Sequence, residues 1–345
     1  MPPQAPDRVA FLAPSLGTRD GRAENSARWQ QGFLALGTSV KTAAFAGVAD
    51  HALDVVALER GDHGDLERTL SGADIVVIED LCSSDYSAGA AFAVARLLRG
   101  RRVLLRHHVL PWQPGGRRGP VLDDPAWRHV TVNERSRLEL RAQGIAALAR
   151  YPRFDPAPRP GSREATRSLL GYGPGDRLIL QPTRGALQKN VAGGLRLAGA
   201  VAASYWLLGD VAEEFRPLFD ELMTKSPCPF YQGRPESLTL ADAYAASDVV
   251  ALPSSWEAFG NAAIEAATYR RPFVVGTYPV AAELRRFGFS WFELSDPAPL
   301  ARYLESPDPF VLDRNELVAR RRFSSDELPA HLLELLEAVN LPPWS

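Results

Sequence analysis

Residues 249–276 read VVALPSSWEAFGNAAIEAATYRRPFVVG. The stretch opens with an apolar run, passes through a loop into a helical segment that starts at Asn261, and closes with a second apolar run at 273–276. Short apolar runs that alternate with helical periods are typical of buried parallel strands joined by crossover helices. This strand–helix–strand unit places the chain in the α/β class.

The same alternation extends in both directions from this unit. In the first half the sequence predicts strands at 9–13, 39–44, 53–57, 74–78, 102–106 and 129–132, with helices at 23–36, 66–71, 88–98 and 134–142. In the second half it predicts strands at 178–181, 204–208, 230–232, 249–252 and 273–276, with helices at 191–201, 213–222, 238–246 and 261–270.

A proline-rich segment separates the two halves. Residues 151–162, YPRFDPAPRPGS, sustain neither a helix nor a strand ladder and indicate a linker. A chain of 345 residues also exceeds the usual size of one domain. We therefore expect two Rossmann-like domains, residues 1–155 and 156–324, with parallel sheets facing a central cleft that suits a ligand. A last segment, 325–345, carries a helix with a leucine-rich face.

Bulk composition excludes several classes of function. The net charge of −2 gives no general reason to expect nucleic-acid binding. Cys82 and Cys228 have no metal or redox spacing, and no apolar run approaches the roughly 20 residues of a membrane span. Met1–Pro6 is unlike a signal peptide. We expect a cytoplasmic protein.

Two carboxylates eight positions apart, Glu257 and Glu265, bracket Phe259 and Gly260. Glu257 follows a predicted strand at its carboxyl end, where open parallel sheets bind ligands. Gly260 permits close approach of a phosphate to the backbone N–H groups that open the next helix. Glu265 lies among apolar residues and needs a partner, which is either a ribose diol or, alternatively, Arg270 or solvent.

Two cations follow the predicted strand at 178–181. Arg184 and Lys189 lie in the loop TRGALQKN, residues 183–190, and fixed cations stabilise the charge that develops on a departing diphosphate. No two aspartates in the chain are separated by a single residue, so the metal-binding Asp-x-Asp pattern is missing. We expect a site that needs no metal. Two basic residues in a loop are otherwise most often solvated surface.

The first half offers a histidine pair and a glycine-bearing loop. His107 and His108 follow the predicted strand at 102–106, and adjacent residues of an extended segment face opposite sides. In the alternative interpretation, one of the two histidines is structural and the other is exposed. Gly17 and Gly21 lie in the loop after the first strand and would let the backbone approach a phosphate or an acceptor. No G-x-G-x-x-G follows a strand, which argues against a dinucleotide dehydrogenase.

These motifs together resemble retaining glycosyltransferases of the GT-B fold, in particular glycosyltransferase family 4. The resemblance rests on the E-x7-E pair of Glu257 and Glu265 and on Arg184 and Lys189 at a five-residue offset. It implies that this clamp holds a diphosphate, that Glu265 holds ribose, and that Glu257 orients the transferred sugar. The other donor-binding residues that it implies are Gly209, Gly233, Arg234, Phe259, Gly260 and Asn261.

The resemblance also places a strand-end histidine beside the reacting sugar. His108 aligns better than His107 because Leu110-Pro111-Trp112 follows it, although Val109 replaces a residue that the family often has as Asp or Gly. The match is weaker here than over residues 178–290, and the assignment between the two histidines stays open. Gly17 and Gly21 correspond to the acceptor or phosphate loop of the family. The resemblance further implies that residues 1–155 bind the acceptor, that residues 156–324 bind the nucleotide-sugar donor, and that the helix in residues 325–345 packs back on the first domain.

The activity that the resemblance implies is transfer of a hexose from a UDP- or GDP-type sugar to an acceptor hydroxyl on a sugar, a lipid or a small molecule. It implies no cofactor beyond this co-substrate. A sugar-nucleotide epimerase, a sugar phosphorylase and a non-catalytic nucleotide-sugar binding protein are the alternatives. Arg96, Arg99, Arg101 and Arg102 would allow peripheral membrane contact, but in an arginine-rich chain an ordinary surface is favoured.

Overall fold

The computed structural model describes residues 5–18 and 21–340. Arg19 and Asp20 of the glycine-bearing loop, and residues 341–345 of the last segment, lie outside this part of the chain. The chain divides into two compact units. The first unit comprises the residues up to Arg153 and those from Ser325 onward, and the second comprises Phe154–Ser324.

A parallel sheet forms the centre of the first unit. Its strands are β1 (Arg8–Leu16), β2 (Ser39–Gly47), β3 (His51–Ala52), β4 (Ile75–Glu79), β5 (Val103–His107), β6 (Trp127–Thr131) and β7 (Ala147–Ala149). Across the described residues the order is β3-β2-β1-β4-β5-β6-β7. Val9 pairs with Val40 on one side and with Ile75 on the other, and Val76 pairs with Val103. The middle of the sheet is fully buried.

Helices cover both faces of this sheet. They are α1 (Gly21–Ala35), α2 (Val55–Arg60), α3 (Gly64–Leu70), α4 (Ala88–Leu98) and α5 (Glu134–Ala142). Side chains of β1 alternate between two cores: Ala10 and Leu12 enter one, and Val9 and Phe11 enter the other. A strand buried on both faces must be apolar throughout, which is why these strands read as continuous apolar runs.

The second unit repeats the architecture. Its strands are β8 (Leu178–Gln181), β9 (Ser204–Leu207), β10 (Phe230–Gln232), β11 (Val249–Leu252), β12 (Phe273–Val275) and β13 (Phe292–Glu293), in the order β10-β9-β8-β11-β12-β13 among the described residues. The helices are α6 (Arg163–Leu170), α7 (Val191–Ala200), α8 (Arg216–Thr224), α9 (Leu240–Ala246), α10 (Asn261–Thr268), α11 (Pro279–Arg285), α12 (Ala298–Glu305) and α13 (Pro309–Phe323).

The last helix, α14 (Leu328–Asn340), packs within the first unit. Leu332, Leu335 and Leu336 are buried in the same core as Trp29 and Phe33 of α1. Gly32 lets the two helices approach closely, because a Cβ there would lie 2.8 Å from Leu332 Cδ1. In the part of the chain that is described, no helix has both the length and the apolarity needed to cross a bilayer.

Two parallel sheets flanked by helices confirm the predicted fold class. Several elements were not predicted, among them β7, β13, α6, α11, α12 and α13. Residues 53–57 were expected to form a strand, and that prediction is wrong. The Asp54 side chain accepts the Ala57 N–H at 2.7 Å and caps α2, which ends at Gly61 with a φ of 87°. A capping aspartate and a left-handed glycine favour a helix over an extended run of valines.

Substituting Leu332 by Ala should destabilise the first unit. Leu332 is 0% exposed, and removal of such a leucine typically costs about 2–5 kcal/mol because a cavity remains. Urea unfolding measures the loss, and amide exchange in β1 should accelerate. Leu138→Ala is the matched control, since that leucine is 50% exposed on α5. Equal stability of the two variants would contradict this packing.

Candidate active site

Two loops of the second unit, residues 182–190 after β8 and 253–260 after β11, lie side by side because β8 and β11 are neighbours in the sheet. The Ser255 N–H donates to the Gln188 carbonyl oxygen at 2.9 Å. Asn190 Nδ2 donates to the Pro253 carbonyl oxygen at 3.0 Å. These bonds join residues that are more than 60 positions apart in sequence.

Lys189 and Glu257 meet where the two loops join. Lys189 Nζ lies 2.6 Å from Glu257 Oε1, and the same oxygen accepts the Ser254 hydroxyl at 2.7 Å. The side chains of Lys189 and Glu257 are 16% and 12% exposed, so the pair is partly buried. No described group donates to Glu257 Oε2. One carboxylate oxygen is thus fixed by the protein while the other is available to a ligand.

Gln181, the last residue of β8, fixes the backbone of Lys189. Its Nε2 donates to the Lys189 carbonyl oxygen at 3.1 Å and to Thr183 Oγ1 at 3.0 Å. Its Oε1 accepts the hydroxyl of Tyr205 on β9. Gln181 and Ser254 are both 0% exposed, and sequence analysis missed both of them. A polar residue in the final position of an otherwise apolar strand was the available signal for Gln181.

The turn before α10 carries Phe259, Gly260 and Asn261. Gly260 has a φ of 95°, a conformation that favours glycine, and α10 begins at Asn261. The first turn of a helix presents backbone N–H groups that lack partners within the helix. Phe259, expected to contact the donor, is instead buried against Phe154 and Phe323, where its ring anchors the turn.

Glu265 lies inside the second unit on α10 and is 8% exposed. Its Oε2 accepts the Tyr244 hydroxyl of α9 at 2.6 Å, and the Tyr244 ring stacks on Tyr269 at 4.7 Å. The alternative partner, Arg270, is bound to Asp313 and Glu316 instead. The protein itself therefore supplies a donor to this carboxylate.

Arg184, Gly209, Gly233 and Arg234 occupy neighbouring loops. Arg184 is exposed, and within the described residues no side-chain bond joins it to Lys189 or to either glutamate. A Cβ at Gly209 would lie 2.7 Å from the Arg184 backbone nitrogen, so this glycine permits the loops to touch. The Gly233 carbonyl oxygen accepts the Trp206 indole N–H at 2.8 Å. Arg234 is half-buried.

In the first unit, His107 and His108 form hydrogen bonds with different partners. His107 is fully buried, and its Nε2 lies 2.9 Å from Nδ1 of His129 on β6. Burial, and then the neighbouring His129 and His108, hold the pKa of His107 well below its ordinary value, so the ring is neutral at neutral pH. His108 is 5% exposed, and its Nε2 lies 3.1 Å from Glu79 Oε2.

Sequence analysis missed the acids beside His108. Glu79 ends β4 and also receives Nη1 of the buried Arg106 at 2.7 Å. Burial opposes ionisation of Glu79, but Arg106 and His108 outweigh it and lower its pKa to about 2. Burial raises the pKa of Asp80 above its ordinary value, although His108 and Arg22 oppose that shift. The feature of the sequence that could have identified Glu79 and Asp80 is a pair of consecutive acids after an apolar run.

The glycine-bearing loop is described only in part. Gly17 has a φ of 69°, and a Cβ there would lie 3.5 Å from Val48 Cβ. Gly21 is the first residue of α1. Throughout residues 5–18 and 21–340, no group of three or more His, Cys, Asp or Glu side chains could hold a metal ion.

Residues 174–306, which contain both loops and both glutamates, match the family model described as "Glycosyl transferases group 1". A search of curated proteins by sequence finds no significant match.

Solved structures resemble the whole chain. Anabaena Alr3699/HepE in complex with UDP is 15% identical with a TM-score of 0.73, over 96% of this chain and 100% of that chain. A glycosyltransferase from Rickettsia africae ESF-5 is 12% identical with a TM-score of 0.69, over 96% and 98%. AviGT4, a glycosyltransferase involved in avilamycin A biosynthesis, is 18% identical with a TM-score of 0.66, over 96% and 97%. The chain has the GT-B fold of these enzymes.

Replacing Gly260 by Ala should destabilise the second unit more than replacing Gly233. Both have similar φ values, 95° and 97°, so each variant carries a backbone cost of about 1–2 kcal/mol. Only at Gly260 does the new Cβ collide, 2.5 Å from the Tyr278 hydroxyl, whereas nothing lies within 4 Å at Gly233. Chemical denaturation measures both.

The double variant Gly260→Ala, Tyr278→Phe isolates the collision. The buried Tyr278 hydroxyl has no hydrogen-bond partner in the described part of the chain, so its removal alone should cost little. In the Gly260→Ala background it should restore part of the lost stability. Equal losses for the two glycine variants, with no recovery, would contradict this local geometry.

Proposed function

We propose that this protein is a glycosyltransferase that moves a hexose from a UDP- or GDP-type sugar to an acceptor hydroxyl, with retention of anomeric configuration and without a divalent metal. The observation that carries the proposal is the Lys189–Glu257 pair in the loops that follow β8 and β11, within the segment that matches the model of glycosyl transferases group 1. Neighbouring folds include HepE, which was solved with UDP and with UDP-glucose.

The diphosphate is assigned to the cations and to the helix terminus. Lys189 is fixed by Glu257 and by Gln181, while the exposed Arg184 is able to swing toward an anion. Negative charge grows on the leaving diphosphate as the glycosidic bond breaks, and prepositioned cations and N–H groups at the start of α10 stabilise it. In this proposal they take the part that a divalent cation plays in Asp-x-Asp enzymes.

The sugar and the ribose are assigned to the two glutamates. Glu257 Oε1 is occupied by Lys189 and Ser254, which leaves Oε2 to accept a sugar hydroxyl. Glu265 is held by the Tyr244 hydroxyl, which keeps the carboxylate oriented for a ribose hydroxyl. A carboxylate whose position is set before binding loses little freedom when the ligand arrives.

His108 is assigned to contact with the substrate at the reacting centre. His107 is less suited because its ring is fully buried and bonded to His129. The bond between the sugar and the diphosphate breaks and leaves an oxocarbenium-like carbon. The acceptor hydroxyl oxygen bonds to this carbon from the same face and gives its proton to the departing diphosphate. The acceptor is a sugar, lipid or small molecule that the first unit recognises.

Lys189→Ala and Glu257→Ala should each lower kcat/KM for sugar-nucleotide transfer or hydrolysis about 100-fold or more, because each removes a group aimed at the diphosphate or the sugar. Release of nucleoside diphosphate from a panel of UDP- and GDP-sugars is the measurement. Lys225→Ala and Glu221→Ala are matched controls, since this second Lys–Glu pair, 2.7 Å apart, is exposed on α8.

Wild-type turnover in both site variants would overturn the assignment. The same assays separate the alternatives: an epimerase or phosphorylase gives its product without a sugar acceptor, and a binding protein gives none. Proton NMR of the anomeric centre tests retention, with inversion as the contradicting result. Activity that is lost in EDTA and restored by a divalent cation would contradict metal independence.

A further inference from the structure

Two consecutive acids at the end of β4 hold a single histidine. Glu79 Oε2 lies 3.1 Å from Nε2 of the His108 ring. Asp80 Oδ1 accepts the backbone N–H of His108 at 2.6 Å and that of Val109 at 3.2 Å. The first acid therefore fixes the ring, and the second fixes the backbone of the same residue.

An unusual backbone conformation at Asp80 allows both acids to contact His108. Side chains of consecutive residues in a strand face opposite sides, so Glu79 and Asp80 would normally diverge. Asp80 has a φ of 54°, in the left-handed region that non-glycine residues seldom adopt. This turn brings both carboxylates onto His108. Such conformations persist where the surrounding structure enforces them, often at functional sites.

Arg106 keeps Glu79 charged and in place. Arg106 Nη1 lies 2.7 Å from Glu79 Oε1, which leaves Oε2 to His108. The guanidinium carbon lies 4.4 Å above the Trp29 ring, and the arginine is fully buried. A buried carboxylate paired with an arginine stays ionised and acts only as a hydrogen-bond acceptor. Glu79 consequently requires a proton on the facing nitrogen of His108.

We propose that Glu79 and Asp80 are positioning residues for His108, and that Glu79 keeps the imidazole proton on Nε2 so that Nδ1 is the nitrogen presented to substrate. The proposal rests on the proposed function, in which His108 contacts the substrate. Within the described residues no group forms a hydrogen bond with His108 Nδ1. In the neutral ring Nδ1 is then an acceptor, suited to a hydroxyl of the sugar or of the acceptor.

The charged groups around the ring are consistent with this assignment. Glu79 and Asp80 face His108 from the end of β4, and Arg22 of α1 lies 3.6 Å from Asp80 Oδ2. The neighbouring His107 is directed to His129 and does not compete for Glu79. Arg106 is neutralised by its bond to Glu79. The Glu79 carboxylate is thus the acceptor that selects the tautomer.

The direct test is the tautomer of His108 in the ligand-free wild-type protein. Long-range ¹H–¹⁵N correlation spectra of histidine-labelled protein at about pH 8.5 distinguish a protonated from a bare ring nitrogen, and His108→Asn assigns the signal. We expect protonated Nε2 and bare Nδ1. A proton on Nδ1, or a mixture of tautomers, would overturn the proposal. The spectrum does not depend on turnover, so its failure is distinguishable from failure of the proposed function.

The second test is a double-mutant cycle on sugar transfer. Glu79→Gln should lower kcat about 10–100-fold, the usual range for a residue that orients another, while donor KM changes less than about 2-fold. If Glu79 acts through His108, the same change in a His108→Asn background should have no further effect. Asp65→Asn, beside His51 at 3.5 Å, is a control that should leave kcat unchanged.

Outcomes of the cycle bear on the proposal in either direction. Glu79→Asp should have a higher kcat than Glu79→Gln, because aspartate restores the negative charge, although its shorter side chain places the carboxylate farther from the His108 ring. Additive losses from Glu79→Gln and His108→Asn would show that Glu79 acts independently of the histidine and would reject the assignment. If Glu79→Gln fails to fold because Arg106 is left unpaired, the wild-type spectrum still decides the question.

Discussion

The ion pair between Lys189 and Glu257 is the contact on which the proposed donor site depends. It joins loops that follow adjacent strands of one parallel sheet, and it fixes one carboxylate oxygen while leaving the other open. An exposed pair of this kind would contribute little, since water and salt screen it. Here the pair is only partly exposed, Gln181 holds the backbone of Lys189, and Ser254 holds the Glu257 carboxylate, so the geometry of the pair is set before a ligand arrives.

Parallel topology explains why residues so distant in sequence meet. The carboxyl ends of parallel strands share one edge of a sheet, so every loop that follows a strand contributes side chains to the same edge. In the second unit this edge collects Lys189 and Glu257. In the first it collects Glu79 and His108, from the neighbouring strands β4 and β5. In both clusters a carboxylate contacts a nitrogen-bearing side chain, and a polar residue in the last position of a strand, Gln181 or Glu79, takes part.

Sequence periodicity predicted the two parallel sheets because strands buried on both faces must be apolar along their whole length. It failed at residues 53–57, where the Asp54 cap outweighs the β-branched valines. The motif of Glu257 and Glu265 and the loop of Lys189 were identified from their resemblance to the pattern of a known family. Ser254, Gln181 and Tyr244 were not, because their importance lies in contacts between separate segments. The packing of the Phe259 ring against Phe154 and Phe323 is a further contact between separate segments that the sequence did not reveal.

Hydrogen exchange with and without nucleotide tests the central claim most directly. If the second unit binds a nucleoside diphosphate through Lys189, Glu257 and the start of α10, saturating UDP or GDP should slow exchange in peptides covering residues 183–190 and 254–265. Peptides covering the exposed Glu221–Lys225 pair of α8 should be unaffected. Slowed exchange elsewhere, with both loop peptides unchanged under either nucleotide, would contradict the account.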